Sequence, residues 1–346
     1  IRDSFWKSWN MSDGDDIMQL DRFRKMDVIA MGRATVDLYA NETGPMEEAK
    51  TFSKYVGGSP ANTAVAMANL GLKVGYIGKV SDDAFGRFIC SYLNGKGVDI
   101  SHIRTDDTGR RSGLTMGEIR ENGKCSYFMY RQDCADLNIQ CTEIDEKYIA
   151  DGKMLLISGT SLTHSPARES VFLAMSYARK NNTRIILDLD YRTDTWDTEE
   201  EASVYYHMAA LQSDMVIGTR EEFDVMERMF LPGNRDDRKS AEYFLERGAE
   251  YVSIKRGKEG SCIYTKEDIY HGGVYPVKAI KTFGAGDAYS GAFNYGIISG
   301  FTIEKCLMYA AAAASITISG HSCSDSTPTL EQIDRFITEN DYCLLY

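Results

Sequence analysis

The sequence predicts an α/β protein built on a doubly wound, mostly parallel sheet with helices on both faces. From Met26 onward, short apolar segments alternate with longer segments that have helical periodicity. The short segments are apolar at successive positions, which is typical of strands buried on both sides. Such strands, when helices separate them, form a parallel sheet through right-handed crossovers.

Each strand and helix of this sheet is predicted from its own segment. The apolar segments predict strands at 26–31, 73–78, 153–158, 184–189, 214–217 and 251–255. The segments between them place apolar residues on one helical face, which indicates helices that cover the sheet. These helices are predicted at 60–70, 83–96, 165–180, 199–210 and 220–229.

Two segments depart from this pattern. Residues 33–56 and 111–131 alternate in the manner of strands, and Glu121-Asn122-Gly123 has the composition of a hairpin turn. We therefore expect a small accessory sheet inserted early in the chain. Ligands of open α/β sheets bind at the carboxyl ends of the strands, so a sheet placed there would act as a lid. Residues 1–25 are predicted to extend outside the main domain, which would span 26–340.

The composition disfavours several classes of function. With 39 Lys and Arg against 51 Asp and Glu, the net charge is −12 and the pI is near 5.0, so no nucleic-acid partner is expected. The longest apolar segment, Cys306–Ile318, is too short to cross a membrane. The first residues lack the apolar core of a secretory signal, and the eight cysteines are dispersed. We therefore expect a cytoplasmic protein with reduced thiols and no zinc site.

The glycine-rich segment Lys281–Phe293 (KTFGAGDAYSGAF) predicts an anion site. Gly284 and Gly286 allow backbone N–H groups to point outward at a helix N-terminus, where the helix dipole favours negative charge. Asp287 would repel a bound anion. It fits a site in which it accepts the proton of a substrate hydroxyl while the N–H groups stabilise a transferred phosphoryl group. The alternative is that Asp287 only caps the helix.

A second segment, Tyr55–Gly71 (YVGGSPANTAVAMANLG), predicts a ligand contact near a helix start. Gly57 and Gly58 permit a ligand to approach the backbone, and Asn62 offers a donor and an acceptor to hydroxyl groups. The alternative is an ordinary turn before a helix. The chain has neither a Walker A pattern nor G-x-G-x-x-G, so P-loop and dinucleotide sites lack support.

Taken together, the two segments resemble the two signatures of the ribokinase-like (PfkB) carbohydrate kinases, in the same order. The resemblance extends from Met26 to about Ile337 and implies a ribokinase-like fold with a β-sheet lid. It also implies ATP and Mg²⁺ as cofactors, a small-molecule sugar as substrate, and a homo-oligomer formed through the lid.

The resemblance assigns roles position by position. The catalytic base falls on Asp287, and the anion hole falls on the backbone of Gly284, Ala285 and Gly286. The sugar site falls on Asp37, Gly57, Gly58 and Asn62. The nucleotide contacts fall on Thr219, Lys255, Gly257 and Gly260.

Two positions differ from the family pattern. The family's N-x-x-E motif aligns with Gly218-Thr-Arg-Glu221, so its acid is Glu221, which would organise Mg²⁺ through water, while Gly218 replaces the Asn. Asp190 is the expected second metal contact. The glycine-rich signature begins here with Lys281, where the family usually has an Asp that often helps to build a monovalent-cation site.

Further motifs resemble one branch of the family, which phosphorylates a sugar acid of myo-inositol breakdown. They are 32–34, 52–62, 129–133, 190–192 with Trp196, and 217–225. The branch implies transfer to the primary hydroxyl of 5-dehydro-2-deoxy-D-gluconate, giving the 6-phosphate. The alternatives are a 2-keto-3-deoxygluconate kinase, a fructokinase, or a sugar-binding regulator without turnover. Arg33, Lys54 and Arg131 are candidates for binding the substrate carboxylate, or else ordinary surface charges.

Overall fold

The computed structural model describes residues 18–119 and 125–344, and within them the strands form two sheets. The strands are β1 (Met26–Met31), β2 (Thr35–Ala40), β3 (Phe52–Gly57), β4 (Val74–Val80), β5 (Asp99–Thr105), β6 (Leu114–Ile119), β7 (Cys125–Tyr130), β8 (Gly152–Ser158), β9 (Arg184–Asp188), β10 (Met215–Thr219), β11 (Tyr251–Lys255), β12 (Ser261–Tyr264) and β13 (Ile269–Gly272).

Helices connect these strands. They are α1 (Ser59–Asn69), α2 (Ala84–Gly95), α3 (Glu146–Ala150), α4 (Ala167–Lys180), α5 (Glu199–Ala210), α6 (Arg220–Glu227), α7 (Asp237–Leu245), α8 (Ala285–Ile298), α9 (Ile303–Ile318) and α10 (Leu330–Glu339). In the described part of the chain, no helix combines the length and the apolar composition that a membrane span needs.

The larger sheet runs in the order β13-β12-β11-β10-β9-β8-β1-β4-β5. Neighbouring strands from β11 to β5 are parallel, whereas β12 pairs antiparallel with both β11 and β13. Strand β1 is the switch point, because the chain adds strands first on its β4 side and later on its β8 side. A parallel sheet opens a ligand crevice at the carboxyl ends of the strands beside such a point.

The predicted doubly wound sheet is confirmed. The six predicted strands correspond to β1, β4, β8, β9, β10 and β11, and the five predicted helices correspond to α1, α2, α4, α5 and α6. Alternation along the buried strands divides their side chains between two cores. On β1, Ile29 and Met31 join the core under α4 and α5, whereas Val28 and Ala30 join the core under α1, α2 and α8.

The smaller sheet has the order β3-β2-β6-β7, with β2 parallel to β6 and both edge strands antiparallel to their neighbours. It confirms the accessory sheet predicted from 33–56 and 111–131. The predicted turn at 121–123 lies outside the described residues. Because β2 begins at Thr35, four residues after β1 ends at Met31, this sheet lies beside the carboxyl end of the switch-point strand.

Part of the predicted N-terminal extension contacts the main domain. Residues 1–17 lie outside the described residues, but Met18 is only 3% exposed and packs in the core under α1. Arg24 donates hydrogen bonds to the carbonyl oxygens of Ala150 and Gly152 and to the hydroxyl of Thr183. The prediction that the extension lies outside the main domain does not hold for residues 18–25. An apolar side chain and a guanidinium group tie these residues to the domain.

Glycines allow α8 to pack closely against its neighbours. A Cβ atom on Gly291 would lie 2.7 Å from the Cβ of Ala66 in α1, and one on Gly296 would lie 2.6 Å from the Sγ of Cys306 in α9. Real Cβ atoms do not approach each other so closely, so the helix spacing requires glycine at these positions. This close packing brings the first turns of α1 and α8, with Asn62 and Asp287, within hydrogen-bond distance.

Candidate active site

The glycine-rich loop ends at the N-terminus of α8. Gly284 is the N-cap residue and has a φ of +79°, in the left-handed region that favours glycine. A Cβ atom on Gly286 would lie 3.5 Å from the Nζ of Lys255, so this ammonium group lies beside the first turn. A helix N-terminus and a nearby ammonium group both favour an anion, which supports the predicted anion site.

Asp287 lies in the first turn of α8 and is buried. Its Oδ2 accepts a hydrogen bond from Nδ2 of Asn62 at 2.8 Å. Burial, and to a smaller extent the negative charge of Asp190, raises the pKa of Asp287 to about 6. The N-cap position is held by Gly284 without a side-chain bond, so the geometry does not support the alternative in which Asp287 serves as the cap.

Three acidic side chains converge beside this loop. Asp188 ends β9, accepts a hydrogen bond from the Ser290 hydroxyl, and has Oδ1 3.5 Å from the Nζ of Lys255. Asp190 follows with a φ of +40° and receives a hydrogen bond of 3.4 Å from Ser158. Glu222 is the third member, since the negative charges of Asp188 and Asp190 are near enough to help raise its pKa. Burial raises the pKa of Asp190, and it raises the pKa of Glu222 to about 7.

The structure contradicts the prediction that Glu221 approaches a metal. Its side chain is exposed, whereas Glu222 folds back so that Oε2 accepts the backbone N–H of Thr219 at 2.7 Å. The Thr219 hydroxyl in turn accepts the N–H of Glu222 at 3.3 Å, which completes a capping box. Thr219-x-x-Glu222 is a capping-box pattern that is visible in the sequence. This pattern indicates that Glu222, and not Glu221, is the acid that points inward.

The carboxylates suit a Mg²⁺ ion that keeps water and phosphate ligands. Among residues 18–119 and 125–344, no three His, Cys, Asp or Glu side chains form a complete metal cage. Mg²⁺ characteristically uses one or two protein carboxylates together with water and substrate phosphates. Asp190 and Glu222, close to the anion loop, fit that donor set, with Asp188 beside them.

Asp37 of β2 lies on the side of the small sheet that faces the loop. It is 5% exposed, and its Oδ2 accepts a hydrogen bond from the Tyr39 hydroxyl at 2.9 Å. Burial raises the pKa of Asp37, although the positive charge of Arg131 opposes this shift. A Cβ atom on Gly57 would lie 2.0 Å from Oδ1 of Asp37, so only glycine at that position leaves room for the carboxylate.

Arg131 and Arg33 are two neighbouring buried cations. Nη2 of Arg131 donates to the hydroxyls of Thr115 at 2.7 Å and Thr35 at 3.2 Å, and it lies 3.8 Å from Asp37. Nε of Arg33 pairs with Asp136 at 2.6 Å, and its Nη2 donates to the carbonyl of Arg131 at 3.1 Å. Arg33 is thus neutralised and supports Arg131 from behind.

The structure contradicts the predicted substrate contact of Lys54. In the pairing of β2 with β3, Tyr55 is opposite Asp37 and Lys54 is opposite Leu38. Because successive side chains of a strand point to opposite faces, Lys54 lies on the outer face of the small sheet. Its ammonium group lies 3.9 Å from the centre of the Phe88 ring instead.

Buried polar atoms without a hydrogen-bond partner surround this region. They are Nη1 of Arg33, Oδ1 of Asp37, Oδ1 of Asn62, Nε of Arg131 and Oγ of Ser161. Buried polar atoms are nearly always paired in folded proteins. A ligand with several hydroxyl groups or a carboxylate would supply the missing partners.

Sequence reasoning missed several residues of this site. Ser161 lies against Gly32, where a Cβ atom would be 2.3 Å from its Oγ. Arg192 pairs with Asp190, and the nearby charges of Asp190, Glu222 and Asp287 raise its pKa. Ser161 carries no sequence signal, whereas Arg192 stands in the 190–192 motif.

The remaining nucleotide-side predictions lie along the carboxyl ends of β10 and β11. Thr219 ends β10 and Lys255 ends β11, with the two residues paired across the sheet. Gly257 and Gly260 have φ values of +55° and +89°, and a Cβ atom on Gly260 would lie 2.1 Å from the carbonyl oxygen of Gly272. These glycines form the tight turn into β12.

Known proteins share both the sequence and the fold. The chain is 51% identical over 325 residues to 5-dehydro-2-deoxygluconokinase of Geobacillus kaustophilus, covering 93% of this chain and 97% of that protein. It is 49% identical over 325 residues to the protein of the same name from Halalkalibacterium halodurans, covering 93% and 98%. The structure matches fructokinase of Xylella fastidiosa with bound ATP at a TM-score of 0.81 and 22% identity, covering 90% and 98%.

A second solved structure has the same fold. It is a proposed ribokinase II from E. coli in complex with ATP and Mg²⁺, with a TM-score of 0.82, 24% identity, and coverage of 91% of this chain and 99% of that one. The pfkB family carbohydrate kinase profile matches residues 25–330. Both signatures, the anion loop before Asp287 and the glycines before Asn62, lie within that range. The chain therefore belongs to the pfkB family of carbohydrate kinases.

Proposed function

We propose that this protein transfers the γ-phosphoryl group of ATP to the primary hydroxyl of 5-dehydro-2-deoxy-D-gluconate and forms its 6-phosphate. The observation that carries this proposal is the position of Asp287, which lies between the anion loop and the sugar-side residue Asn62. About half of the residues are identical to relatives named 5-dehydro-2-deoxygluconokinase over nearly their whole lengths. A sugar-binding regulator of the same fold would need no buried base beside an anion loop.

Asp287 acts as the general base in this proposal. Its raised pKa of about 6 leaves it ionised near neutral pH and makes it a better proton acceptor than an ordinary carboxylate. Asn62 holds Oδ2 in place, so the free lone pairs of the carboxylate can face the hydroxyl. Backbone N–H groups of 284–286 and the ammonium of Lys255 then stabilise the negative charge of the transferred group.

Mg²⁺ would be held by Asp190 and Glu222, with Asp188 close by. When bound, it neutralises phosphate charge and orients the leaving group. The metal contact that the family alignment gives to Glu221 is thus assigned to Glu222. Thr219, Gly257 and Gly260 line the turns next to these carboxylates, and we assign them to the nucleotide side of the site.

Arg131 is our candidate for binding the substrate carboxylate. Its Nε lacks a partner, and Arg33 holds it through the backbone carbonyl. Asp37 is one carboxylate beside two buried arginines, and Asp136 neutralises one of them. Although Asp37 balances the charge of Arg131, the unpartnered Nε–H of Arg131 is a charged donor, and this donor favours a sugar acid over fructose, which has no carboxylate.

A coupled ADP-release assay tests this function. The panel contains 5-dehydro-2-deoxygluconate, 2-keto-3-deoxygluconate and fructose, each with and without Mg²⁺. We expect the first substrate to give the highest kcat/KM and the omission of Mg²⁺ to abolish turnover. If none of the sugars is phosphorylated although the protein binds one of them, the regulator becomes the better assignment.

We also propose that two copies associate through the outer face of the small sheet. Three aromatic side chains of its edge strands are exposed there, namely Phe52 at 36%, Phe128 at 49% and Tyr130 at 65%. Light scattering after size exclusion should show a dimer, and Phe128→Lys should shift it toward monomer. The control is Met229→Lys, because Met229 is also exposed but follows α6 and is not part of the small sheet. We place the reaction in the cytoplasm, where ATP is available.

A further inference from the structure

A buried ammonium group supports the glycine-rich loop from behind. Lys281 is 2% exposed, and its Nζ donates a hydrogen bond to the carbonyl oxygen of Phe283 at 2.7 Å. The same Nζ lies 3.9 Å from the Sγ of Cys323. Burying an ammonium group is unfavourable unless other contacts compensate, so a lysine at this position needs a reason. The proposed mechanism assigns no role to it.

The hydrogen bond to Phe283 fixes the direction of an N–H group in the anion loop. The carbonyl of Phe283 and the N–H of Gly284 belong to one trans peptide unit, so they point in opposite directions. Gly284 has no Cβ atom, and its left-handed conformation allows this peptide to rotate. When Lys281 holds the carbonyl on one side, the N–H is held on the opposite side.

The same ammonium group is linked to the sugar side of the site. Cys323 packs against Gly284, because a Cβ atom on that glycine would lie 2.9 Å from the Cβ of the cysteine. The Sγ of Cys323 lies 3.2 Å from the hydroxyl of Tyr39, which donates to Asp37 at 2.9 Å. The charge of Lys281 therefore lies behind both the anion loop and the residues around Asp37.

We propose that Lys281 is a positioning residue that supplies a fixed monovalent cation from within the chain. Its ammonium orders the loop through the Phe283 carbonyl and adds positive charge behind the transferred phosphoryl group. The inference rests on the proposed kinase function only for the second of these effects. It follows that the protein does not depend on a dissolved monovalent cation, and that a cation of ammonium size restores the loop when the side chain is removed.

Thermal unfolding tests the cation site without any turnover, because a bound cation raises the unfolding temperature. It is measured for the wild type, Lys281→Ala and the control Lys278→Ala in ammonium, potassium and tetramethylammonium chloride at equal ionic strength. Lys278 is an exposed lysine of the same segment. We expect ammonium and potassium to raise the unfolding temperature of Lys281→Ala above its value in tetramethylammonium. The wild type and Lys278→Ala should not distinguish the three salts.

Kinetics with the sugar acid and Mg-ATP tests the effect on the loop. Lys281→Ala should lose kcat by on the order of tenfold or more, and ammonium should restore part of it. Lys281→Met fills the space without charge, so it should lose activity without rescue by any cation. Wild-type kcat should be the same in all three salts.

Three results would overturn the proposal. The first is wild-type activity that requires potassium or ammonium, a measurement that does not depend on how the variants fold. The second is Lys281→Ala with unchanged kcat. The third is folded Lys281→Ala that no cation stabilises or reactivates, since Lys281 would then only fill space. If the wild type shows no turnover with any sugar, the proposed function fails, whereas the unfolding experiment still decides the role of Lys281.

Discussion

At the scale of single residues, the surroundings decide what a charged side chain does. Three cations were candidates for the same carboxylate, yet Arg131 faces the site, Arg33 is paired with Asp136, and Lys54 lies on the outer face of the sheet. Two adjacent glutamates differ in the same way, because only Glu222 is turned inward by its capping box. Residue type alone does not separate these cases.

Asp287→Asn should lower kcat by about 10²- to 10⁴-fold, because it keeps the shape of the side chain but removes proton acceptance. Since the pKa of Asp287 is about 6, wild-type kcat/KM should fall as the pH drops below about 6 and should level off above it. The unfolding temperature of Asp287→Asn should be equal to or above that of the wild type, because a buried charge is removed. Near-normal turnover at saturating substrates would reject Asp287 as the base.

Arg131→Ala should raise the KM for the sugar acid by at least about tenfold and leave the KM for ATP nearly unchanged. Arg33→Ala, by contrast, should destabilise the fold, because it leaves the buried carboxylate of Asp136 without its partner. Steady-state kinetics with each substrate varied in turn, together with thermal unfolding, distinguishes the effect on substrate binding from the effect on stability. Equal effects of Arg131→Ala on both KM values would remove it from the sugar site.

Glu222→Gln should increase the Mg²⁺ concentration needed for half-maximal activity, because a carboxylate near the phosphates is lost. Glu221→Gln is the matched control: the side chain of Glu221 is exposed, so this substitution should leave the Mg²⁺ requirement unchanged. Titration of activity with Mg²⁺ at fixed ATP measures both. A larger effect of the Glu221 variant would restore the original alignment.

At the scale of elements, the site depends on how closely two helices pack. Asn62 reaches Asp287 only because Gly291 lets α8 approach Ala66 of α1. The acidic cluster likewise depends on adjacent strand ends, since β9 provides Asp188 and the first turn of α6, directly after β10, provides Glu222. A change remote from the substrate can therefore alter the geometry of the base.

Gly291→Val should destabilise the protein by about 1 to 3 kcal/mol, because its side chain overlaps α1. It should also lower kcat, since α8 must shift away from Asn62. Gly95→Ala is the matched control: no atom lies within 4 Å of the Cβ built on this helical glycine, so stability and kcat should be unchanged or slightly improved. Denaturant unfolding and kinetics measure both variants. Normal kcat in a destabilised Gly291→Val would show that helix spacing does not control the base.

At the scale of the whole molecule, buried carboxylates are gathered at the carboxyl ends of strands in the larger sheet. Glu222 has a pKa of about 7, above its ordinary value of 4.5, because burial disfavours the ionised form. Its folded pKa is raised, so its contribution to stability is present below pH 4.5 and is lost as the pH rises to about 7. Ligand-free protein therefore carries an electrostatic cost at neutral pH that Mg²⁺ would offset.

The stability of the ligand-free protein should accordingly depend less on pH in Glu222→Gln than in the wild type. Between pH 4.5 and 7, the wild type should lose roughly 1 to 3 kcal/mol relative to the variant. Denaturant unfolding at several pH values, without Mg²⁺ and nucleotide, measures this difference. Parallel curves for the two proteins would show that Glu222 ionises normally.

The sheet, the accessory strands and the two signature segments could all be predicted from the amino-acid sequence. They follow from local chemistry, because the periodicity of apolar residues indicates which positions are buried, and glycine indicates where the backbone adopts unusual conformations. Asp287, Asn62 and the anion loop could be predicted for the same reason. The face on which each side chain lies depends on the folded structure: one residue of register separates Lys54 from the face of Asp37, and one position in a capping box separates Glu221 from Glu222. Contacts between distant segments, such as Lys281 with Cys323, exist only after folding, so no local pattern predicts them.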